Sequence, residues 1–252
     1  MTNPYRVAYV SDVHVPFHDS RAVDLALKIL SHIKPDMVFF GGDIVDCYSV
    51  SDFDRDPARV VRFQEEFDAT FVVMREFRRL AKEAEFLPGN HEDRWERTKN
   101  RHPFLASLRD VRLEKLLRLE ELKVKPLTHG EDRRIGRLFY MHGDECGGSG
   151  GVFPARTVYL KEQGNIVFGH FHRMQVFYNR LKDGTCHGSW ANGCLCDLKQ
   201  PYTKGTTQWQ QGITIVEHHD SGLFHVHQIL FFSTGRDRKL YGEWQDRLYW
   251  VN

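Results

Sequence analysis

Long apolar runs are missing from this 252-residue chain, and their absence argues against a membrane-spanning protein. No stretch approaches the roughly 20 consecutive apolar residues that a membrane-spanning helix requires. Cysteine is scarce and odd in number, with five residues and no paired framework, so we expect reduced thiols and no disulfide scaffold. Residues 1–6 lead directly into a predicted strand, and we therefore expect no signal peptide. These absences favour a cytoplasmic protein.

The net charge is also close to zero, because 35 lysine and arginine residues oppose 34 aspartate and glutamate residues. The whole molecule therefore has no general electrostatic preference for nucleic acid. Within residues 92–137 the balance shifts to 13 basic against 9 acidic residues. The basic side chains that open this segment are Arg94, Arg97, Lys99 and Arg101. They form either a phosphate-facing rim, in which Arg94 and Arg97 bind substrate, or one solvated face of a mixed-charge helix.

Five polar motifs follow five short β-like runs, each motif beginning near the end of its run. The runs are Val7-Ala8-Tyr9-Val10, Met37-Val38-Phe39-Phe40, Glu85-Phe86-Leu87, Leu138-Phe139-Tyr140-Met141 and Ile166-Val167-Phe168. The motifs are Asp12-Val13-His14, Gly42-Asp43-Ile44-Val45-Asp46, Gly89-Asn90-His91-Glu92, His142-Gly143-Asp144 and Gly169-His170-Phe171-His172. Strand tips of an α/β scaffold meet at one edge of a sheet, so we expect these polar side chains to converge.

The residue types in these motifs suit metal-assisted hydrolysis of a phosphate ester. Two divalent ions roughly 3.5–4 Å apart polarise the ester and lower the pKa of a bound water. Asp12 and His14 lie two residues apart on an extended segment, so both can point to one side, and His170 and His172 have the same spacing. Imidazole and carboxylate ligands suit Mn, Fe, Zn or Ni better than Mg. The sequence therefore predicts two divalent transition-metal ions, with Mn as the first expectation.

In this order, the motifs over residues 5 to about 180 resemble the calcineurin-like metallophosphoesterase superfamily. The ligands that the resemblance implies are Asp12, His14 and His172 for the first ion, Asn90, His142 and His170 for the second, and Asp43 as the bridge. His91 would not be a ligand; it would protonate the leaving oxygen or hold the phosphate, and Asp46 would orient its imidazole. Residues 188–195 are also similar to members that bacteriophages encode.

The segments between the motifs predict a single domain over residues 1–252. A helical apolar stripe covers residues 20–32, and a longer helix is predicted from about residue 57 to residue 84, with Asp56 as its N-cap. Strands predicted after residue 173 cover residues 175–179, 185–190, 212–217 and 223–231, and we assign them to a second sheet. We therefore expect a four-layer α/β/β/α sandwich of two mixed sheets flanked by helices, with the metal site at the strand tips.

Three further segments have their own interpretation. Residues 92–120 are predicted to be a helical insertion, broken at Pro103, that overhangs the metals, and residues 235–252 an aromatic C-terminal tail. The glycine-rich stretch 147–151 lacks the Lys-Ser/Thr of a nucleotide-binding loop, and we interpret it mainly as a loop beside His142. Cys194-Leu195-Cys196 lacks a second cysteine pair, so we do not interpret it as a zinc site.

One departure from the superfamily bears on the substrate. Phosphoprotein phosphatases of this superfamily carry Arg-Gly after Gly-Asp-x-x-Asp, whereas Cys47 and Tyr48 stand here. A guanidinium matches a doubly charged monoester best, so its loss favours phosphodiesters or nucleic acid slightly. Arg94 or Arg97 could replace it, which leaves a Ser/Thr phosphoprotein or small-molecule phosphomonoesterase as the alternative.

The resemblance also includes a rival from another class of protein. A non-catalytic scaffold of the same fold, like the retromer subunit of this superfamily, would bind partners and hydrolyse nothing. Such scaffolds lose metal ligands or the Asn-His pair, and none of these is missing here. We therefore expect an enzyme that hydrolyses phosphate esters by attack of a metal-bound hydroxide. The sequence contains no signal for an oligomeric state.

Overall fold

The computed structural model describes residues 3–60, 62–131, 133–146, 152–200 and 207–252. Its helices are α1 (Ser20–Ile33), α2 (Phe63–Arg78), α3 (Asn90–Arg101), α4 (Leu113–Leu116), α5 (Leu119–Leu122) and α6 (Pro154–Glu162). Its strands are β1 (Tyr5–Val10), β2 (Met37–Phe40), β3 (Glu83–Phe86), β4 (Lys125–Pro126), β5 (Arg133–Ile135), β6 (Leu138–Tyr140), β7 (Ile166–Phe168), β8 (Gln175–Arg180), β9 (Cys186–Ala191), β10 (Gly212–His218), β11 (Phe224–Leu230), β12 (Leu240–Trp244) and β13 (Arg247–Val251). Among the described helices, none combines the length and the apolar character needed to cross a bilayer.

Two large mixed sheets form the centre of the fold. The first has the strand order β11-β10-β1-β2-β3-β4, with β1 to β4 parallel to one another and β10 antiparallel to β1. The second has the order β5-β6-β7-β9-β8, with β6, β7 and β9 parallel and an antiparallel strand at each edge. Two mixed sheets were expected, and the structure confirms them.

The assignment of every late strand to the second sheet is wrong for two of them. Strands β8 and β9 do join the second sheet, but β10 pairs with β1, so that Tyr5 lies opposite His218 and Tyr9 opposite Thr214. Strand β11 then extends the first sheet beyond β10. A strand's own residue pattern reports which faces are buried and does not select the strand with which it pairs.

The layer order follows from alternation along the strands. In β1, Val7 and Tyr9 face the second sheet, where they share a core with Tyr140 of β6, while Ala8 and Val10 face the helices. The core between the sheets consists of Val7, Tyr9, Met37, Phe39, Leu87, Leu127, Leu138, Tyr140, Val167, Trp190 and Val216. Helices α1 and α2 cover the outer face of the first sheet and α6 covers that of the second, which gives the expected α/β/β/α order.

The predicted helix at residues 57–84 is shorter than expected and is interrupted. Asp56 does cap a helical turn, because its Oδ1 accepts the Ala58 N–H at 2.9 Å, but this turn is a 3₁₀ helix that ends at Arg59. Val60 and Arg62 have extended backbone, and α2 begins only at residue 63. The helix ends at residue 78 because the chain must turn to enter β3 at residue 83.

The insertion and the C-terminal segment pack on the same helical layer. Trp95 of α3 is buried against Phe63 with ring centroids 5.0 Å apart, and its Nε1 donates to the Val111 carbonyl at 2.7 Å. The residues predicted as an aromatic tail form the β12–β13 hairpin, whose Trp244 and Tyr249 are buried in the core that contains α1.

Candidate metal centre

The ends of β1 and β2 bring the first two motifs side by side. The loops are joined by backbone hydrogen bonds, from Asp12 N to Gly42 O at 3.0 Å and from His14 N to Asp43 O at 2.9 Å. Non-glycine residues with left-handed backbone cluster here, with φ of 56° at Asp12, 55° at His14, 54° at Asp43, 67° at His170 and 55° at His172. Each such residue costs on the order of 1 kcal/mol or more, and such strain concentrates at functional sites.

A first group of donors is almost completely buried. His172 Nε2 lies 3.2 Å from Asp12 Oδ1 and 3.1 Å from His14 Nε2. The three side chains come from two loops far apart in sequence, and each is at most 7% exposed. Two imidazole nitrogens and a carboxylate oxygen that converge at such distances are a donor set that suits a divalent transition-metal ion.

A second group lies beside the first and comes from three motifs. Asn90 Oδ1 is 3.2 Å from His142 Nε2 and 2.8 Å from His170 Nδ1. The orientation of the His142 ring is fixed by its other nitrogen, Nδ1, which lies 2.8 Å from the Gly41 carbonyl. A backbone carbonyl that fixes the tautomer and orientation of an imidazole is a common partner of a metal-ligating histidine.

Asp43 stands between the two groups. Its Oδ2 is 3.9 Å from His14 Nε2 and 3.3 Å from His142 Nε2, while its Oδ1 accepts the His91 N–H at 2.8 Å. Burial alone would raise the pKa of this carboxyl group, but the charges of His142 and His91 outweigh burial and hold the pKa well below its usual range. Asp43 therefore stays ionised, and its carboxylate faces both donor groups.

The histidines differ in their preference for protons, and this bears on whether cations fit. Burial and the charge of His142 lower the pKa of His170 to about 4, which keeps that ring in the neutral form that binds metals. His172 is also buried, but Cys194 and Asp12 outweigh burial and raise its pKa to about 9. The raised pKa of His172 shows that its surroundings, above all Cys194 and Asp12, favour a positive charge at this place. A bound cation would be stabilised by the same surroundings, so the donors fit positive ions.

His91 and Arg94 stand at the open side of the site because α3 begins directly after β3. His91 Nδ1 lies 2.9 Å from the Asp46 carbonyl, and Arg94 Nη2 lies 2.9 Å from His91 Nε2. A guanidinium can only donate, so in this arrangement Nε2 accepts from Arg94 and Nδ1–H donates to Asp46. Burial lowers the pKa of His91, but the Asp43 and Asp46 carboxylates outweigh it and raise the pKa above its ordinary value.

Asp46 supports two rings and not one. Its Oδ2 is 3.1 Å from His14 Nδ1 and 3.5 Å from His91 Nδ1. Burial opposes its ionisation, but the charges and hydrogen bonds of both histidines hold its pKa far below the ordinary value. The carboxylate therefore orients a candidate metal ligand as well as the candidate acid, which the sequence alone did not indicate.

These residues line one cleft with a volume of about 640 Å³. Its walls are formed by His14, Asp43, Asp46, Tyr48, Ser51, Phe53, Asp54, Asn90, His91, Arg94, His170, His172 and Trp209. Arg97 is not among them, since its guanidinium is held by Asp52 at 2.9 Å and by Asp93 at 3.0 Å. Of the two arginines predicted to bind substrate, Arg94 faces the cleft.

Each of the four basic residues of the rim has a carboxylate partner, which for Arg94 is Asp46 Oδ1 at 3.6 Å. Lys99 lies 2.7 Å from Glu96, and Arg101 shares Asp52 with Arg97. Ion pairs of this kind reduce the positive charge available to an anionic ligand.

Comparison with known proteins agrees with this geometry. The calcineurin-like phosphoesterase family model matches residues 5–174. This chain belongs to that family. The family acts on phosphate esters and binds divalent metals, and the two donor groups are candidate ligand sets for such ions. No curated protein sequence matches the chain.

Solved structures of the same superfamily resemble the chain at low identity. The Vps29 structure from Chaetomium thermophilum is 11% identical with a TM-score of 0.52, covering 99% of this chain and 97% of that one. The zinc complex of Vps29 from Entamoeba histolytica is 14% identical with a TM-score of 0.44, covering 98% and 97%. Phosphopantetheinyl hydrolase from Mycobacterium tuberculosis is 12% identical with a TM-score of 0.34, covering 81% and 100%. Such likenesses bear on the fold alone.

Glu92 is a site residue that the sequence reasoning missed. The Glu92 carboxylate is completely buried, and its Oε2 accepts hydrogen bonds from the N–H groups of Gly89 and Asp43 at 2.8 Å each. Oε1 accepts those of Ile44 at 2.7 Å and Val45 at 3.1 Å. An acid three residues after Gly89 was the available signal, since Glu92 is the third residue of α3 and Gly89 its N-cap. Glu92 fastens the Asp43 loop to the loop that carries Asn90.

Two cysteines behind the first donor group were also set aside by the sequence reasoning. Cys196 Sγ lies 3.9 Å from His172 Nδ1, and Cys194 Sγ is within 4.8 Å of both.

Cys47 is fully buried in the core, and burial raises the pKa of its thiol well above the ordinary value. It is therefore not available as a nucleophile. The glycine-rich stretch 147–151 lies outside the described residues.

Close backbone approach explains two of the motif glycines. A side chain at Gly89 would collide with Asp43 Oδ1, and one at Gly169 would collide with Asp12 Oδ2. Both positions need glycine so that the loops can approach the carboxylates.

Proposed function

We propose that this chain is a dinuclear metal-dependent phosphoesterase that hydrolyses its substrate by direct attack of water, without a phosphoenzyme. The observation that carries the proposal is Asp43, an ionised carboxylate whose Oδ2 is 3.9 Å from His14 Nε2 and 3.3 Å from His142 Nε2. The burial of Cys47, and of Cys194 and Cys196 beside His172, supports the second half of the proposal, since it keeps these thiols from a substrate in the cleft.

The ligands proposed are Asp12, His14 and His172 for one ion, Asn90, His142 and His170 for the other, and Asp43 for both. When bound, two divalent ions neutralise phosphoryl oxygens and lower the pKa of a coordinated water. Mn²⁺ is the ion we propose first, with Fe, Zn and Ni as alternatives that suit the same donors.

The other residues of the cleft act on the ester itself. His91 is proposed to protonate the leaving oxygen through Nε2, which takes up a proton once the Arg94 guanidinium, its hydrogen-bond donor in this structure, turns to the substrate. Asp46 keeps the His91 ring in place and favours its charged form. Arg94 is proposed to turn its Nη2 group from His91 to a phosphoryl oxygen when substrate enters, because an anionic oxygen is a stronger acceptor than a neutral imidazole. Its Nη1 group is held by Asp46, 3.0 Å from the carbonyl oxygen and 3.6 Å from Oδ1.

We propose phosphodiesters, including nucleic acid, as the favoured substrates. Support comes from Cys47 and Tyr48, which stand where phosphoprotein phosphatases of the superfamily have Arg-Gly. The second candidate is a phosphomonoester of a protein or small molecule, and one observation favours it. Arg94 lines the cleft beside His91 and offers a guanidinium from a different element. A non-catalytic scaffold is disfavoured because both donor groups and the Asn-His pair are present.

A hydrolysis panel with defined metals tests the proposal. Aryl monoester, aryl diester, cyclic nucleotide, DNA, RNA and phosphopeptide would be compared with Mn, Fe, Zn and Ni, and with chelator. We expect metal-dependent cleavage with diesters ahead of monoesters. Efficient phosphopeptide cleavage without any diester cleavage would select the second candidate. A trapped phosphocysteine would contradict direct attack, and inactivity with every metal would favour the scaffold.

A further inference from the structure

The cleft is lined by polar groups and by aromatic rings. The polar lining consists of the donor groups with His91 and Arg94, and the aromatic lining includes Phe53 and Trp209. A volume of about 640 Å³ is within the range of small-molecule sites and exceeds what one phosphate group needs. The cleft therefore has room for the part of a substrate that is attached to the phosphate.

Phe53 is exposed although the loop that carries it is held in place. Its side chain is 78% exposed, which makes it the most exposed large hydrophobic residue in the described part of the chain. The loop is anchored on both sides of the ring, because Asp52 pairs with Arg97 at 2.9 Å and Asp56 N–H donates to the Tyr48 hydroxyl at 2.7 Å. Because Phe53 lines the same cleft as Trp209, the cleft has apolar as well as polar lining, a combination typical of ligand-binding grooves.

Trp209 provides a second aromatic ring directly beside the metal ligands. Its ring meets His172 edge-to-face, with centroids 4.3 Å apart and an interplanar angle of 72°. The half-buried indole thus lies against a group proposed to hold a metal, so a ligand on it would extend directly from the phosphate position.

We propose that the aromatic lining of the cleft binds the nucleobase of a nucleotide ester whose phosphate lies at the metal centre. This rests on the proposed function and names its substrate class. Bases stack on aromatic side chains with little dependence on sequence, and Phe53 and Trp209 supply such faces. Ser51 and Asp54, close to Phe53 in sequence, line the same cleft and offer a hydroxyl and a carboxylate to the polar edge of a base. An aliphatic substituent would use neither the flat rings nor these polar groups.

Two esters with the same leaving group isolate the contribution of the base. Thymidine 5′-(4-nitrophenyl) phosphate and ethyl 4-nitrophenyl phosphate both release nitrophenolate, so any contact of that ring cancels in their ratio. We expect Mn-loaded enzyme to prefer the thymidine ester in kcat/KM. Phe53→Ala should reduce this preference by roughly 5- to 100-fold, the range for loss of one stacked base. Phe53→Tyr should retain most of it.

A matched control and a binding measurement make the outcome specific. Phe104 is 66% exposed and does not line the cleft, so Phe104→Ala should leave the preference unchanged. Calorimetry should show tighter binding of thymidine 5′-monophosphate than of inorganic phosphate, and Phe53→Ala should weaken the nucleotide alone. Trp209→Phe, which keeps an aromatic ring, should weaken it less than Phe53→Ala.

Failure of this inference can be distinguished from failure of the proposed function. Cleavage of both esters with equal efficiency, or equal losses on both in Phe53→Ala, would overturn the nucleobase subsite and leave the phosphoesterase standing. A phosphotyrosine peptide that gains the same Phe53-dependent advantage would also overturn it. If neither ester is cleaved with any metal, the proposed function fails, and the calorimetric comparison then decides the subsite by itself.

Discussion

The two halves of the metal centre differ in how far they are open to solvent. Asp12, His14 and His172 are almost completely buried, whereas in the second half His142 is buried and Asn90 and His170 are only partly buried. The closed half is backed by the sulfur atoms of two buried cysteines, and the open half lies at the first turn of α3. The difference indicates that substrate approaches from the α3 side, where His91 and Arg94 also stand.

The pKa values of two ligands that are close in sequence show the same contrast between the halves. His170 and His172 are separated by one residue, yet the pKa of the first is lowered to about 4 and that of the second is raised to about 9. Burial acts against the charged form of both. The neighbours decide the outcome, because His142 repels a charge on His170, while Cys194 and Asp12 attract one on His172. Equal spacing in sequence does not make the two ligands equivalent.

The largest expected effect comes from breaking the residue that both halves share. Asp43→Asn removes the negative charge between the two donor groups and should lower kcat by roughly a thousandfold or more, because several kcal/mol of charge stabilisation are lost. Steady-state kinetics with Mn²⁺ measure this. Asp24→Asn, at an exposed position of α1, is the matched control and should have wild-type activity. Activity within tenfold of wild type in Asp43→Asn, with the fold intact by circular dichroism, would contradict the shared role.

The next effect should be confined to the open half. His91→Ala removes the proposed acid and should slow esters with poor leaving groups by roughly a hundredfold or more. Activated aryl esters should lose much less, since their leaving oxygen needs no proton. The readout is kcat on a series of esters graded by leaving-group pKa. Equal losses throughout the series would mean that His91 holds the phosphate and does not protonate the leaving oxygen.

A moderate effect is expected at Glu92, which joins the loop of the shared Asp43 to the loop of Asn90 in the open half. Glu92→Gln replaces a carboxylate that accepts four backbone N–H bonds, and it should weaken metal affinity by roughly 10- to 100-fold, as loss of a supporting partner usually does. Metal titration followed by calorimetry gives the constant for each ion. Glu96→Gln, one turn later in α3 and paired with Lys99, is the control and should bind metal like wild type. Unchanged affinity in Glu92→Gln would show that the loops keep their positions without it.

The smallest effect separates two arginines of one helix. Arg94→Ala should raise KM for a phosphate ester by about tenfold, because a charge-assisted contact to the phosphoryl group is lost. Arg97→Ala should change KM by less than about twofold, since exposed ion pairs contribute little. Equal effects of the two substitutions would mean that Arg94 and Arg97 both bind substrate, as expected for a phosphate-facing rim. With DNA as substrate, a steep fall of affinity with salt that only Arg97→Ala relieves would reverse the assignment.

The convergence of the motifs could be predicted because it depends on local patterns. A short apolar run followed by Asp-x-His or Gly-Asn-His identifies a strand and its tip, and parallel strands bring their tips to one edge. The structure brings all seven predicted ligands together at that edge, with Asp46, His91 and Arg94 around them. Their roles as metal ligands, acid and substrate contact remain predictions.

Long-range pairing and loop geometry could not be predicted in the same way. Strand β10 joins β1 from more than 200 residues away, and nothing in its alternation selects that partner. Glu92 was not recognised because an acid in a first helical turn is common, and its four N–H donors come from two loops that only the fold brings together. Phe53 and Trp209 line one cleft from positions that no sequence motif connects.

The metal content of the active protein tests the central claim most directly. The chain would be loaded with Mn²⁺, freed of unbound ion by gel filtration and analysed for metal per chain alongside kcat for an aryl diester. Two ions per chain are predicted for the wild type, with activity that disappears as the content falls below two. Full activity at one ion per chain, or at none, would contradict the shared Asp43 centre.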